Sequence, residues 1–278
     1  MKRKKYLVLG SSGQIGGMLV QHLQSMGHQV LTFDIDTSRF EDLRYKNALL
    51  YNRAKEADFV FFLAFDVGGS RYLQKYQHTY EFIHNNTAIM QHTFDVLHEL
   101  DKPFIFASSQ MASMSYSPYG ILKTVGESYT KSLNGLVVKF WNVYGIEHDE
   151  EKLHVITDFI LSAKNNKQIN MLTDGQEERQ MLYAEDCCKC LNIIADLYDM
   201  ISRNEELHIT SFEWVKIIDI ANIIAEEFPE TVVTPSIKTD TVQKNARNEP
   251  DKSIFKYWKP ETTIEDGIKQ IINKMESI

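Results

Sequence analysis

Cysteine, proline and long apolar runs are all scarce in this chain, and each scarcity excludes something. The 278 residues include three cysteines, six prolines and thirteen glycines, which rules out a disulfide-stapled, collagen-like or low-complexity protein. The longest apolar runs, such as Phe59 to Phe65, fall far short of the ~20 residues that span a bilayer, so no membrane partner is expected. Basic residues are outnumbered as well: 30 Lys and Arg face 38 Asp and Glu, a net charge of −8. An acidic surface offers no general attraction for nucleic acid, so an anionic ligand must be gripped locally. The cluster Lys2-Arg3-Lys4-Lys5 precedes only a four-residue apolar run, Tyr6 to Leu9, which is too short for a secretory h-region; the protein reads as cytoplasmic. Cys187, Cys188 and Cys190 crowd into one apolar segment with no further ligands at matching spacing, and read as small buried hydrophobes rather than a metal site.

What is present is apolar material for one large α/β core or two smaller ones, at 43% hydrophobic residues. Tyr6 to Leu9 is a β-type run, Ile15, Leu19, Val20 and Leu23 recur at helical spacing, and Val30 to Phe33 is β-type again, which makes a βαβ unit. A helix over 47–56, a buried strand over 59–64, a long and broken helical region over 72–100, a strand over 103–108, a helix over 119–132 and a strand over 136–141 continue the alternation. The expected fold is α/β, a Rossmann-type doubly wound parallel sheet over residues 1–145, with a smaller C-terminal α/β substrate lobe over 146–278 and chain crossings between them.

Gly10, Gly13 and Gly16 leave the first strand and open the first helix. That spacing permits a tight turn and close approach of a pyrophosphate, with Gln14 and Ile15 at the helix N-terminus. Asp34 ends the second strand, where a carboxylate binds both ribose hydroxyls and repels a 2′-phosphate. NAD is therefore favoured over NADP, with Arg39 and Arg44 near enough to keep NADP in play. Tyr119 and Lys123 are four apart on a helix and share a face, so the ammonium is expected to lower the phenol pKa, and Ser109 at a strand end can hold the same substrate oxygen.

On these motifs the chain resembles the extended short-chain dehydrogenase/reductase family, in particular its nucleotide-sugar epimerases and dehydratases. The resemblance extends to Asp42-Leu43, similar to the adenine contact, and to Phe62-Leu63-Ala64, similar to an H-L-A strand end in which Phe62 replaces the usual His. It also covers Asn86 at the place of a cofactor-side Asn, and Asn142-Val143-Tyr144-Gly145, similar to N-x-Y-G. Arg179 and Arg247 resemble two phosphate-binding arginines, and Asp186 reads as a helix cap or a ligand. The loop Val67-Gly68-Gly69 resembles that of GDP-sugar enzymes. The resemblance implies NAD as cofactor, a nucleotide-diphosphate sugar as substrate and a homodimer built on the helices that carry Ile83, Ile89, Phe94, Val96 and Leu97.

The implied reaction starts with Tyr119 taking a hydroxyl proton, usually at O4, while hydride leaves for NAD. Lys123 holds the nicotinamide ribose, and Ser109 and Gln110 meet the sugar. Gln110 and Met111 follow Ser109 and neither exchanges a proton, which disfavours 4,6-dehydration and decarboxylation. His148 is the one candidate for a further acid or base, with a surface His as the alternative. The expectation is C4 oxidation of a GDP-hexose or GDP-heptose, as a 4-dehydrogenase or 4-epimerase. A UDP-sugar 4-epimerase, a reductase on the same site and a catalytically silent NAD-binding regulator stand beside it.

Overall fold

The computed structural model describes residues 3–147, 149–243 and 248–276. A six-stranded parallel sheet forms its centre. Strand β1 (Lys5–Leu9) leads through α1 (Gln14–Ser25) to β2 (Gln29–Phe33), and α2 (Ala48–Glu56) leads to β3 (Phe59–Phe62). The side chain of Asn47 caps α2 by accepting from the amides of Leu49 and Leu50. The long helical region is broken into α3 (Ser70–Tyr76) and α4 (Tyr80–Leu100), because Thr79 starts a new helix by accepting from the Phe82 amide. Strand β4 (Phe104–Ser109), a single 3₁₀ turn at Gln110–Ser113, α5 (Pro118–Ser132) and β5 (Leu136–Phe140) follow.

The chain then leaves this sheet. Strand β6 (Asn142–Tyr144) belongs to a second sheet, followed by α6 (Val155–Asn166), β7 (Gln168–Asn170), β8 (Glu178–Tyr183) and α7 (Ala184–Asp196). It returns in β9 (Leu207–Ile209), the sixth strand of the parallel sheet, before β10 (Trp214–Lys216), α8 (Ile217–Glu227), β11 (Val232–Thr234) and α9 (Ile264–Glu276). The strand order is β2-β1-β3-β4-β5-β9. Because β1 sends the chain to β2 on one side and β3 lies on the other, a crevice opens at the C-terminal ends of β1 and β3.

Alternate residues of the same strands feed two cores. Tyr6, Val8, Phe59, Phe61, Ile105 and Val138 pack under α1 and α7, and all three cysteines are buried in that layer. Leu7, Leu9, Val60, Phe62, Phe104 and Phe106 face α2, α4 and α5. Phe62 stands with its ring 5.3 Å from those of both Phe94 and Phe106, so a residue that is polar in the family motif is here a core aromatic. A third core joins α6, α8 and α9 to the second sheet. Asp186 is fully buried and accepts from the amides of Glu261 and Thr262, which fastens the segment before α9. Among the described residues no helix is long and apolar enough to cross a membrane.

Candidate active site

A cleft of about 770 Å³ runs from the crevice above β1 and β3 to the second sheet. At its first end Gly10 has φ +82°, and a side chain there would meet the Ala64 backbone at 2.8 Å. A Cβ on Gly16 would lie 1.9 Å from the Gly10 carbonyl, so turn and helix touch through glycine alone. Gly13, by contrast, is exposed and its nearest such contact is 3.5 Å away, which leaves the backbone open to a ligand at the start of α1. The Asp34 carboxylate accepts from the Ser12 amide at 2.8 Å and so stands over the glycine turn. Gln14, Ile15, Asp42, Leu43, Leu63 and Ala64 line the same end. Arg44 is chelated by Asp42, with contacts of 2.7 to 3.1 Å, and Arg39 lies over the Phe40 ring. The residues present fit a dinucleotide with free ribose hydroxyls.

Mid-cleft, β4 and α5 bring Ser109, Tyr119 and Lys123 together. The Ser117 side chain caps α5 through the Gly120 amide. Lys123 Nζ donates to the Ala107 carbonyl at 2.7 Å and sits 3.7 Å from the centre of the Phe65 ring. Burial pushes Lys123 down to about 7, opposed by the negative charge of Glu127. Burial pushes Tyr119 up to about 12, opposed by a hydrogen bond with Ser109. The expected lowering of the phenol pKa by Lys123 is therefore corrected: the ammonium is turned to a carbonyl and an aromatic face, and desolvation dominates at both groups.

The far end is assembled from separate segments. Gly68 and Gly69 line the cleft, but their missing side chains serve packing: a Cβ on Gly69 would come within 2.2 Å of the Leu153 carbonyl, and one on Gly68 within 2.9 Å of Lys152. Gln243 accepts from Gln110 at 3.0 Å and donates to Asn142 at 3.3 Å, forming an amide bridge across the cleft wall. Asp66 accepts from Tyr72 and Asn85 and lies 3.4 Å from Lys152; these hydrogen bonds and the Lys152 charge outweigh burial and hold its carboxyl below the usual range.

The sequence over residues 6–210 matches the family described as the NAD dependent epimerase/dehydratase family. The chain belongs to this family. It is 28% identical over 171 residues to the "Putative UDP-glucose 4-epimerase" of Methanocaldococcus jannaschii, a match covering 58% of this chain and about half (54%) of that protein. The "Uncharacterized UDP-glucose epimerase" of Bacillus subtilis is 24% identical over 99% of this chain and 98% of its own length. The solved UDP-glucose 4-epimerase of Thermotoga maritima shares the fold with a TM-score of 0.80 at 19% identity, covering 98% of this chain and 99% of that one. An epimerase from Methanothermobacter thermautotrophicus gives 0.81 at 20% identity, over 99% of this chain and 93% of that one.

One expectation of the family motif needs correction. Asn86 does not line the cleft; it is fully buried, bonding the Asp66 amide and carbonyl and the Phe82 carbonyl, and its neighbour Asn85 faces the cleft instead. Arg179 lines a pocket of about 100 Å³ that adjoins the main cleft, where it is ion-paired with Asp240. That pocket shares Asn142, Met181 and Gln243 with the cleft. Arg247 and His148 lie outside the described residues. The structure adds a pair that sequence reading passed over: Glu147 and His154, seven positions apart in the segment between β6 and α6, both line the cleft.

Proposed function

We propose that this chain uses NAD to oxidise C4 of a uridine-diphosphate sugar and returns the hydride to the 4-ketone, acting as a 4-epimerase. The observation that carries the reading is one continuous cleft joining the Gly10–Gly16 turn and Asp34 to Ser109, Tyr119 and Lys123. Asp34 would hold the adenosine ribose, Gly13 and the start of α1 the pyrophosphate, and Leu43, Leu63 and Ala64 the apolar face of the dinucleotide. Tyr119 in its phenolate form takes the sugar hydroxyl proton, Ser109 orients that oxygen, and the Lys123 ammonium carries the compensating positive charge. NAD, when bound, supplies the hydride acceptor. A phenol that favours its proton is also suited to give it back when the alcohol reforms.

Uridine is favoured over guanosine on two grounds. Three of the four relatives above bear UDP-sugar names, and packing accounts for Gly68 and Gly69 without a purine. Val67, Gln110 and Asn142 are assigned to the sugar and Arg179 to the phosphates beside it. Tyr80 and Ile83 on α4, with Ile121, Val125 and Tyr129 on α5, are exposed apolar groups that a second copy of the chain would cover as a homodimer.

Mass spectrometry of the dinucleotide released on denaturation, followed by incubation with UDP- and GDP-sugars and product NMR, tests the reading. Bound NAD and a C4 epimer from a UDP-sugar support it. NADP alone would overturn the Asp34 argument, turnover of GDP-sugars alone the uridine assignment, and no turnover of any sugar nucleotide the whole reading.

A further inference from the structure

Glu147 and His154 form a pair with the geometry of a proton-transfer dyad. His154 Nδ1 lies 2.6 Å from Glu147 Oε1, and the His154 amide donates to Glu147 Oε2 at 2.8 Å, so both carboxylate oxygens are used to hold one histidine. The carboxylate is buried while the imidazole is partly exposed and lines the cleft. A carboxylate at Nδ1 selects the tautomer with its proton there and leaves the lone pair on Nε2. Among the described residues Nε2 has no hydrogen-bond partner. The His154 backbone is fixed in place: it is the N-cap residue of α6, and a Cβ on Gly69 would lie 3.1 Å from its Cα, so the loop that follows Phe65 abuts it while the imidazole, making no cap bond, stays with Glu147. Phe65 in turn stacks edge-to-face on Tyr119 at 5.7 Å. The same cleft carries Asp149 and the Lys152–Asp66 pair, and Asp158 on α6, bound by Arg71, feels the Glu147 charge.

We propose that His154, oriented by Glu147, is a second acid/base that exchanges the proton on a carbon next to the C4 ketone. This rests on the C4 oxidation proposed above, which supplies the ketone. His154 Nε2 takes the C–H proton, the C–H electron pair becomes the C=C bond of an enolate, and the carbonyl π pair moves onto O4 beside the Tyr119 and Ser109 hydroxyls. The reverse step returns a proton from Nε2 to carbon. The exchange is redox-neutral and needs no co-reactant. It gives the site the carbon-acid chemistry that Gln110 and Met111 do not: return of the proton by Nε2 to the same face is exchange with retention, and inversion at C3 or C5 follows only where the enolate turns its other face to His154.

The test uses the NAD-loaded full chain in D2O with two probes, UDP-glucose and a UDP-4-keto-6-deoxyglucose supplied ready-made, read by NMR at C3, C4 and C5. Wild type should place deuterium at C3 or C5 of the 4-ketone. H154N should lower that rate by about 10²-fold and E147Q by less, while Tyr119→Phe, which removes one of the two hydroxyls beside O4, lowers exchange on the ready-made ketone and abolishes it on UDP-glucose. NAD binding and thermal melting of each variant, with H154Q as a second substitution, separate loss of the base from loss of the fold. No deuterium at C3 or C5 of the supplied ketone in wild type, or exchange undiminished in both His154 variants, overturns the dyad whatever happens at C4. Exchange on the ketone with no reaction of UDP-glucose or other sugar nucleotides leaves the dyad standing and overturns the C4 reading instead.

Discussion

The two ends of the cleft are built on different principles. At the end proposed for the dinucleotide, seven consecutive residues, Gly10 to Gly16, supply the turn and offer a ligand exposed backbone and one carboxylate. At the end proposed for the sugar, polar side chains are held by distant segments: Gln110 by the side chain of Gln243, Asn142 by that side chain and the Gln180 carbonyl, Arg179 by the Asp240 carboxylate. Local sequence dictates the first end. The second exists only once segments 38 to 133 positions apart have met, so it can change its ligand without disturbing the first.

The largest test of this contrast falls where the ends join. Tyr119→Phe should cost about 10²- to 10⁴-fold in turnover while both NAD and sugar-nucleotide affinities persist, as measured by calorimetry; loss of either affinity would mean that Tyr119 builds an end rather than linking two. Lys123→Met probes the same junction through stability. The folded-state pKa of Lys123 is lowered to about 7 from 10.5, so between these values the unfolded chain binds more protons. Wild-type stability should therefore rise with pH across that window by roughly 1–3 kcal/mol relative to Lys123→Met in urea melts. Tyr119 works in the opposite sense above pH 10, where the unfolded phenol ionises first.

Independence of the ends is read by a pair of substitutions. Asp34→Ala should weaken NAD binding about tenfold, roughly the ~1.4 kcal/mol of a charge-assisted hydrogen bond, and leave the sugar-nucleotide KM unchanged. Arg179→Met should do the reverse, with some loss of stability because Asp240 is left buried without its partner. The smallest effect is expected from Gln243→Ala, a two- to fivefold rise in KM from the loss of about 1 kcal/mol of bridging, with NAD binding unaltered.

The contrast also explains what the sequence reveals. The glycine turn, Asp34 and the Tyr119–Lys123 pair are spacings of 3 to 24 residues within a repeating strand–helix pattern, and they line one cleft. The break between α3 and α4 follows from Thr79, a capping residue. Asn86 was legible as a motif but not as a contact, since the direction of its side chain is decided by the loop at Asp66 twenty positions away. Arg179 likewise depends on Asp240, sixty-one positions on. Glu147 and His154 sit in an irregular segment with no periodicity to mark them, and burial of Tyr119 and Lys123 reversed a pKa argument that considered only their mutual distance.

The return of the chain in β9 has a consequence for synthesis. Strand β5 pairs with β4 on one side, and its other edge is closed only when Leu207 to Ile209 arrive. While a ribosome is still adding residues 141–206, the nascent sheet ends in an open parallel edge, and the cysteine-bearing α7 that covers α1 appears only late in that interval. An open edge of this kind recruits other strands. A fragment that stops before residue 207 should therefore aggregate, even though it carries every residue of the glycine turn and the Ser109, Tyr119 and Lys123 triad.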